Sequence, residues 1–266
     1  MSFGRKKIRR FISGKKRFQP LFRKLHELSL MGLNFGGGDN VGNSGEKNVI
    51  PYLRRYVKSG AKPVIFDVGA NAGIYACEVI SVFGNDAHIY CFEPLKKAFA
   101  ILNKSLESRP NVRTYNFGLG EKEGAATIYA NEPASPLASC FNRNIAHLGV
   151  DMKHAEEISI RRLDLFCAEK EITHINLLKI DVEGGELGVL KGAGRLIGSE
   201  MIDLIQFEFG ICNIDSRTFF KDFFFMLNPY YSIHRILKDG FEPVDNYSER
   251  DEIFLTTNYL AVARRG

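Results

Sequence analysis

The chain of 266 residues has no long hydrophobic run. No stretch approaches the roughly 18 uncharged apolar residues that a membrane-spanning helix needs. The N-terminal segment also lacks the apolar core of a secretory signal, so we do not expect it to direct export. Its Arg-rich, acid-free composition overlaps with that of transit peptides, which stays open as an alternative.

Cysteines are few, and their spacing does not indicate pairing. The five cysteines are odd in number and form no C-x-x-C pair: Cys77, Cys91, Cys140, Cys167 and Cys212. Most of them lie within apolar runs, which favours reduced core thiols over a disulfide framework or a metal cluster. The sequence therefore predicts a cytoplasmic protein.

Acidic residues are missing from positions 1–24, which hold ten of the 36 basic residues. The remaining chain carries 26 basic and 31 acidic residues, a net charge of −5, although the whole chain has a net charge of +5. A negative body would repel phosphate, so we expect no nucleic-acid partner. Among the basic residues, apolar ones recur at helical spacing: Ile8, Phe11, Ile12, Phe18, Leu21, Phe22, Leu25 and Leu28.

This N-terminal pattern predicts one or two basic amphipathic helices. Such a helix binds an anionic membrane surface or a polyanionic partner, or else packs on the body with a solvated basic face. Both interpretations stay open. We define residues 1–45 as a basic arm with a Gly-rich connector, and residues 46–266 as the main domain.

Strand and helix patterns alternate from residue 64 onward. Apolar runs predict strands at 64–67, 88–93, 112–117, 175–181, 202–208, 231–237 and 259–263, with helices at 74–83, 95–106, 186–197 and 219–227. Only the stretch between the third and fourth strands is less regular. The alternation predicts an α/β fold with a mostly parallel sheet, helices on both faces and a ligand site at the carboxyl ends of the strands.

A glycine-rich turn joins the first predicted strand to the first helix of the domain, with the sequence Asp67-Val68-Gly69-Ala70-Asn71-Ala72-Gly73. Its glycines leave room for a ligand beside outward-pointing backbone amides. The spacing G-x-x-x-G lacks the pyrophosphate cradle of dinucleotide binders. Glu93, at the end of the second strand, can accept hydrogen bonds from both hydroxyls of a ribose. The pattern indicates a nucleoside cofactor without a pyrophosphate.

Three motifs follow one another in the chain: Phe66 to Gly73, then Cys91-Phe92-Glu93-Pro94, then Leu178-Lys179-Ile180-Asp181-Val182-Glu183-Gly184-Gly185-Glu186 with Leu190-Lys191-Gly192-Ala193 after it. In this order they resemble the FkbM family of S-adenosylmethionine-dependent methyltransferases. The resemblance implies a class I methyltransferase (Rossmann-like) sheet of seven strands with an antiparallel final strand. It also implies O-methylation of a sugar or polyketide hydroxyl.

The same resemblance assigns cofactor contacts to particular residues. Glu93 would bind the ribose of S-adenosylmethionine. Four residues of the first turn would surround its methionine part: Asp67, Gly69, Asn71 and Gly73. Asn116 and Phe117 lie where class I enzymes usually hold adenine. Ser44-Gly45-Glu46 resembles a short element that precedes the first strand in relatives, and we hypothesise that it closes over the cofactor.

Methyl transfer from a sulfonium to a hydroxyl needs the acceptor oxygen about 3 Å from the methyl group and a base for its proton. Asp181 and Glu183 follow the fourth strand and Glu208 ends the fifth, so all three are expected around one crevice. We predict Asp181 or Glu183 as the general base, with the other orienting the acceptor or the cofactor, and Glu208 as a further catalytic candidate. The alternative is that they are solvated strand ends.

Glu186, which follows two glycines, is expected to open the next helix. Together with Asp181 and Glu183 it would also suit Mg²⁺ or Mn²⁺, which would acidify a sugar diol. The spacing fixes no ligand set, so we assign no metal ligand and metal dependence stays open.

Two irregular segments, 134–143 and 209–217, are predicted to form walls of a site for a polyhydroxylated substrate. The alternative is that they are ordinary connections. Their candidate substrate-binding residues are Ser139, Asn142, Arg143, Asn213 and Arg217. The sequence thus predicts an O-methyltransferase that acts on a sugar in a polysaccharide or glycolipid precursor, held near the inner face of the membrane by residues 1–24. The alternatives are an RNA or DNA methyltransferase and a non-catalytic cofactor-binding regulator.

Overall fold

A computed structural model describes residues 11–38 and 44–264. In these ranges the chain forms the strands β1 Val64–Val68, β2 His88–Phe92, β3 Val112–Tyr115, β4 Gly118–Leu119, β5 Gly124–Ala130, β6 His154–Arg161, β7 Ile175–Ile180, β8 Ile202–Phe209, β9 Tyr231–Leu237, β10 Gly240–Pro243 and β11 Thr257–Ala263. The longer helical segments are α1 Gln19–Gly32, α2 Val49–Leu53, α3 Ile74–Phe83, α4 Lys96–Leu106, α5 Leu163–Glu169, α6 Glu186–Gly192, α7 Gly194–Gly198, α8 Cys212–Ser216 and α9 Phe220–Leu227.

Eight strands form the central sheet, in the spatial order β10-β9-β11-β8-β7-β1-β2-β3. The five strands β3, β2, β1, β7 and β8 are parallel, whereas β11 runs antiparallel to both β8 and β9. The predicted α/β class and the antiparallel final strand are confirmed. The sheet has one strand more than the seven predicted, because the chain turns back after β9 and adds β10 as an edge hairpin.

Apolar layers cover both faces of this sheet. Neighbouring residues of β1 point to opposite faces, so Phe66 packs in the layer that includes α5, α6, α7 and α9, and Ile65 packs in the layer of α2, α3 and α4. The predicted helix over 186–197 is interrupted at Ala193, between Gly192 and Gly194, and forms α6 and α7. Glycine favours a break at this point because it loses more conformational freedom in a helix than other residues.

A second sheet, in the order β4-β6-β5, occupies the stretch that the sequence leaves irregular. Most residues of its strands are exposed or half-buried, and the buried side chains of Ile128 and Ile158 pack against Leu95 and Ala98. The loop 131–153 joins β5 to β6. It becomes part of the site described below.

The described part of the arm contains α1, and no residue of this helix is buried. Exposed apolar side chains follow one another along it, including Leu21, Leu25 and Leu28. Across the described ranges, no helix combines the length and the apolar character needed to cross a bilayer. After α1, Phe35 is buried beneath the guanidinium of Arg235, which lies 4.5 Å from the ring centre. Residues 1–10, with half of the basic residues of the arm, lie outside the described residues.

Candidate active site

A cavity of about 600 Å³ opens at the carboxyl ends of the parallel strands. Its wall includes the turn after β1, the end of β2, the residues after β7 and the last part of β8. The loop 131–153 and the segment 254–256 complete the wall. The site therefore lies where the α/β alternation places ligands.

The turn after β1 lies directly against the residues that follow β7. Gly69 has a φ of +82°, and a Cβ at this position would lie 1.8 Å from the carbonyl oxygen of Asp181. Only glycine permits this contact, so the first and third sequence motifs meet at one point. Asn71 also has a positive φ, of 44°, and its side-chain amide donates to the carbonyl oxygen of Ser135 in the loop 131–153 (3.3 Å).

Glu93 is fixed in the cavity wall by backbone amides. Its Oε2 accepts from the amide of Asn71 (2.9 Å) and its Oε1 from the amide of Leu95 (2.8 Å). The residue is only 5% exposed, and this burial raises the pKa of its carboxyl group to about 7. A buried, pre-oriented acceptor of this kind suits a ligand that donates hydroxyl hydrogen bonds.

The structure brings together only some of the predicted cofactor residues. Gly69, Asn71 and Glu93 line the cavity. Four others do not belong to its lining within the described chain. Asp67 is fully buried, and Gly73 lies against Leu102 of α4. The side-chain amide of Asn116 donates to the carbonyl oxygens of Glu93 and Pro94. The ring of Phe117 packs on the rings of Phe92 and Phe166. Gly118 and Leu119, which follow them, form the wall instead.

A buried ammonium group lies behind this wall. The Nζ of Lys179 is 3.0 Å from Asp181 and 3.6 Å from Asp67, and it lies over the ring of Tyr75 at 5.3 Å. Burial alone would lower the pKa of Lys179, but the carboxylates of Asp181, Asp67 and Glu46 outweigh it and raise the pKa. Lys179 is thus a buried charge partner of Asp181 and Asp67.

Three carboxylates meet at the other end of the cavity, but they differ in their partners. Asp181 pairs with Lys179, and the Oε2 of Glu183 accepts from Arg143 Nη1 (2.6 Å) and from Cys212 Sγ (2.7 Å). For the side chain of Glu208, which lies in β8, no hydrogen bond or ion pair is found within residues 11–38 and 44–264. Burial and then the nearby acids, Asp181 first among them, raise the pKa of Glu208 well above its usual value. Among the three, Glu208 is thus the carboxylate without a cationic partner in the described chain.

The carboxylates of Asp181, Glu183 and Glu186, considered above for Mg²⁺ or Mn²⁺, do not form a common ligand group in the described part of the chain. Both oxygens of Glu186 accept from backbone amides of Val182 and Gly184, and Glu186 begins α6 as predicted. A different set does come together, since single ligand atoms of Glu183, Glu208 and Cys212 lie within 4.8 Å of one another. In that set the guanidinium of Arg143 already neutralises Glu183.

The loop 131–153 is attached to the same carboxylate. Ser139 Oγ donates to the carbonyl oxygen of Glu183 (2.6 Å), and the side chain of Arg143 is 2% exposed between Glu183 and Asp215. Of the predicted substrate residues, Arg143 therefore lines the cavity, whereas Ser139 holds the loop in place. Asn142 lies on the same loop, exposed and outside the described lining.

The segment after β8 is shaped by the other two predicted substrate residues. Asn213 Oδ1 accepts from the amide of Gly210 (2.7 Å), and Arg217 ends α8 with a φ of +54°. Neither belongs to the described cavity lining. Two lining residues, Cys212 and Thr256, were not predicted as site residues, because nothing in their local sequence distinguishes them from core or loop residues. Glu46 also lines the cavity, and it belongs to the element Ser44-Gly45-Glu46 for which a position over the cofactor was hypothesised.

A comparison with known protein families shows the family to which the chain belongs. Residues 67–238, well over half of the chain, match the family described as "Methyltransferase FkbM domain". This chain belongs to the FkbM methyltransferase family. The resemblance drawn from the three motifs is confirmed.

Within the FkbM family, similarity to individual proteins is moderate. The hexuronic acid methyltransferase AglP of Haloferax volcanii is 28% identical over 170 residues, which are 63% of this chain and 64% of that protein. The 31-O-demethyl-FK506 methyltransferase FkbM of Streptomyces tacrolimicus is 32% identical over 172 residues, 53% of this chain and 63% of that protein. The alignments span less than two thirds of the length of these relatives.

Among solved structures, the chain is similar to the methyltransferase FkbM of Methylobacillus flagellatus. The superposition has a TM-score of 0.46 and 17% identity, and it covers 79% of this chain and 47% of that one.

Proposed function

We propose that this FkbM-family chain is an S-adenosylmethionine-dependent O-methyltransferase that methylates a hydroxyl of a saccharide. The single observation that carries the proposal is the cavity itself. It joins a backbone-fixed acceptor at one end, Glu93, to a carboxylate at the other, Glu208, whose side chain has no partner among the described residues. Family membership and a relative named for hexuronic acid methylation support the reaction and the substrate class.

The residues present fit the proposed cofactor. Phe92, Pro94 and Leu119 offer an apolar surface for adenine beside Glu93, which would accept from the ribose hydroxyls. The far end is acidic, with Glu46 and Asp181 in its wall, and would attract a cationic sulfonium. The cavity volume lies within the range of small-molecule sites, roughly 300–1,000 Å³. When bound, S-adenosylmethionine supplies an electrophilic methyl group.

We assign the general base to Glu208, because the two residues predicted for this role, Asp181 and Glu183, are already held by cations. The acceptor hydroxyl would donate its proton to the carboxylate of Glu208 while its oxygen attacks in line. In the unliganded chain burial favours the protonated form of Glu208, and the positive charge of a sulfonium bound nearby would lower its pKa and favour the carboxylate that accepts the proton. Arg143 and Glu183 would position the acceptor.

A direct test is methyl transfer from labelled S-adenosylmethionine to a panel of soluble and lipid-linked glycans that includes hexuronic acids, with RNA in parallel. We expect the label on a glycan hydroxyl and none on RNA. Transfer to RNA alone would replace the proposal by its nucleic-acid alternative. Binding of the cofactor without transfer to any acceptor would favour the non-catalytic regulator.

We also propose that the basic arm binds an anionic membrane surface. On α1, the exposed apolar side chains Leu21, Leu25 and Leu28 recur at helical spacing, and residues 1–24 carry ten basic residues and no acid. A helix of this kind buries its apolar face at the headgroups while its cations meet lipid charge. The enzyme would then act at the cytoplasmic face of a membrane.

Vesicle sedimentation tests the arm. We expect the full chain to sediment with phosphatidylserine-containing vesicles, and to do so far less after Leu21→Ser, Leu25→Ser and Leu28→Ser together. Ile101→Ser, at an exposed apolar position of the body, is the matched control and should not change binding. Equal sedimentation of all three proteins would contradict the role of the arm.

A further inference from the structure

The element Ser44-Gly45-Glu46 holds a buried carboxylate in the cavity wall. Glu46 is 4% exposed and belongs to the lining. Gly45 has a φ of +91°, and a Cβ there would lie 2.1 Å from the carbonyl oxygen of Leu237, so the backbone lies directly on the end of β9. Asn34 Nδ2 binds the carbonyl oxygens of Ser44 (3.3 Å) and Ile236 (3.1 Å). The central sheet therefore fixes the position of Glu46.

Neutral donors orient the carboxylate of Glu46. Its Oε2 accepts from Ser44 Oγ (2.9 Å) and its Oε1 from Gln206 Nε2 (2.9 Å), while Gln206 is itself held by the hydroxyl of Tyr75 (2.8 Å). Each carboxylate oxygen has about two acceptor positions, so both retain capacity for a further donor. The group is thus held in place and still able to bind.

The charges around Glu46 do not balance within the described protein. Lys179 lies near three carboxylates, those of Glu46, Asp67 and Asp181, and its ion pairs are with Asp181 and Asp67. Glu208 adds a further acid to the same wall. A buried carboxylate is costly unless a cation or several hydrogen bonds compensate it. This part of the wall therefore favours a cationic ligand.

The proposed cofactor carries two cationic groups, a sulfonium and an α-ammonium. A sulfonium has no N–H to donate, whereas an ammonium group donates three hydrogen bonds and matches the acceptor positions left on Glu46. Asp181 is less suited to this role, because Lys179 already binds its carboxylate at 3.0 Å. We infer that Glu46 binds the α-ammonium group of the methionine part of S-adenosylmethionine, an inference that rests on the proposed cofactor.

Binding measurements test the assignment without relying on catalysis. The full chain and Glu46→Gln are titrated calorimetrically with S-adenosylhomocysteine and with its deamino analogue, which lacks only the ammonium group. We expect the wild type to bind S-adenosylhomocysteine roughly tenfold to a hundredfold more tightly than the analogue, the range for a charge-assisted hydrogen bond. In Glu46→Gln the two ligands should bind alike, within about threefold.

Two controls separate the charge of Glu46 from its surroundings. Ser44→Ala removes one neutral donor but keeps the carboxylate, and should keep the preference for the ammonium ligand. Glu107→Gln, at an exposed carboxylate of the body outside the described lining, should also keep it. If Glu46→Gln does not fold, Glu46→Asp takes its place, and the withdrawn carboxylate should reduce the preference.

Equal binding of the two ligands to the wild type would overturn the inference and leave the proposed cofactor standing. The inference would also be overturned if Glu46→Gln, or Glu46→Asp in its place, kept the full wild-type preference for S-adenosylhomocysteine over its deamino analogue. If the wild type binds neither ligand, the proposed cofactor fails and the assignment of Glu46 fails with it.

Discussion

The two ends of the cavity hold their carboxylates in different ways. At the nucleoside end, formed by Phe92, Glu93 and Pro94, two backbone amides bind the carboxylate of Glu93. At the acidic end, formed by Asp181, Glu183 and Glu208, side chains bind two of the carboxylates, and Glu208 has no such partner in the described chain. Backbone contacts follow from the fold alone, whereas side-chain contacts can change residue by residue. Cofactor binding and chemistry should therefore respond to mutation separately.

Glu208→Gln should produce the largest effect, because it removes the proposed base from the acidic end. We expect methyl transfer to fall roughly 10²- to 10⁴-fold, the usual contribution of general base catalysis. The affinity for S-adenosylhomocysteine should change less than about threefold. Single-turnover assays on the best glycan of the panel, with calorimetry alongside, measure both. Transfer at the wild-type rate would rule out this base.

Arg143→Gln tests how the acidic end is held together. The change leaves Glu183 largely buried without its cation, and breaking a buried ion pair costs about 3 kcal/mol of unfolding free energy. Urea denaturation measures this loss. Lys96→Gln breaks an exposed pair with Glu156 and should cost less than about 1 kcal/mol. Similar losses for the two variants would show that the Arg143 pair does not stabilise the domain.

Glu93→Gln addresses the nucleoside end. An amide accepts on one atom only and carries no charge, so the affinity for S-adenosylhomocysteine should fall roughly tenfold to a hundredfold. The rate at saturating cofactor should stay near that of the wild type, opposite to the pattern of Glu208→Gln. Titration calorimetry and saturation kinetics measure the two quantities. A loss of rate without a loss of affinity would contradict the division between the two ends.

The pH dependence of stability should also differ between the wild type and Glu93→Gln. Burial raises the pKa of Glu93 to about 7 in the folded chain, against an ordinary value of 4.5, so the folded state binds the proton more tightly than the unfolded state. Stability from this group is therefore present at low pH and is lost as the pH rises from about 4.5 to about 7. Between pH 5.5 and 7.5 the wild type should lose roughly 1 to 2 kcal/mol more than Glu93→Gln. Urea titrations at both pH values measure the difference, and parallel losses would show that Glu93 ionises normally.

Much of the fold could be predicted because its signals are local. Apolar runs and helical periodicity predicted α3 and β9 at the bounds that the structure shows. The sheet of β4, β5 and β6 was missed, because most of its residues are exposed or half-buried and few large apolar positions mark it. The extra strand β10 is short, contains a glycine and a proline and has no buried residue, which hides it in the sequence.

The residues of the site likewise divide into those that the sequence predicts and those that it does not. Glu93, Asp181 and Glu208 could be predicted because each follows or ends a parallel strand, and such strand ends meet at one edge of a sheet. Asp67 belongs to the motif but lies beneath the wall, since its side chain points into the sheet towards Lys179. Cys212 and Thr256 reach the cavity through tertiary contacts far apart in sequence, which no local pattern records, whereas Glu46 was indicated only by the resemblance of its short element.

The account depends most on the cavity being a site for S-adenosylmethionine. Calorimetric titration of the full chain with S-adenosylhomocysteine and, separately, with NAD tests this directly. We predict saturable binding of S-adenosylhomocysteine at one site per chain and no binding of NAD, since the turn after β1 lacks a pyrophosphate cradle. Binding of NAD without binding of S-adenosylhomocysteine would contradict the account.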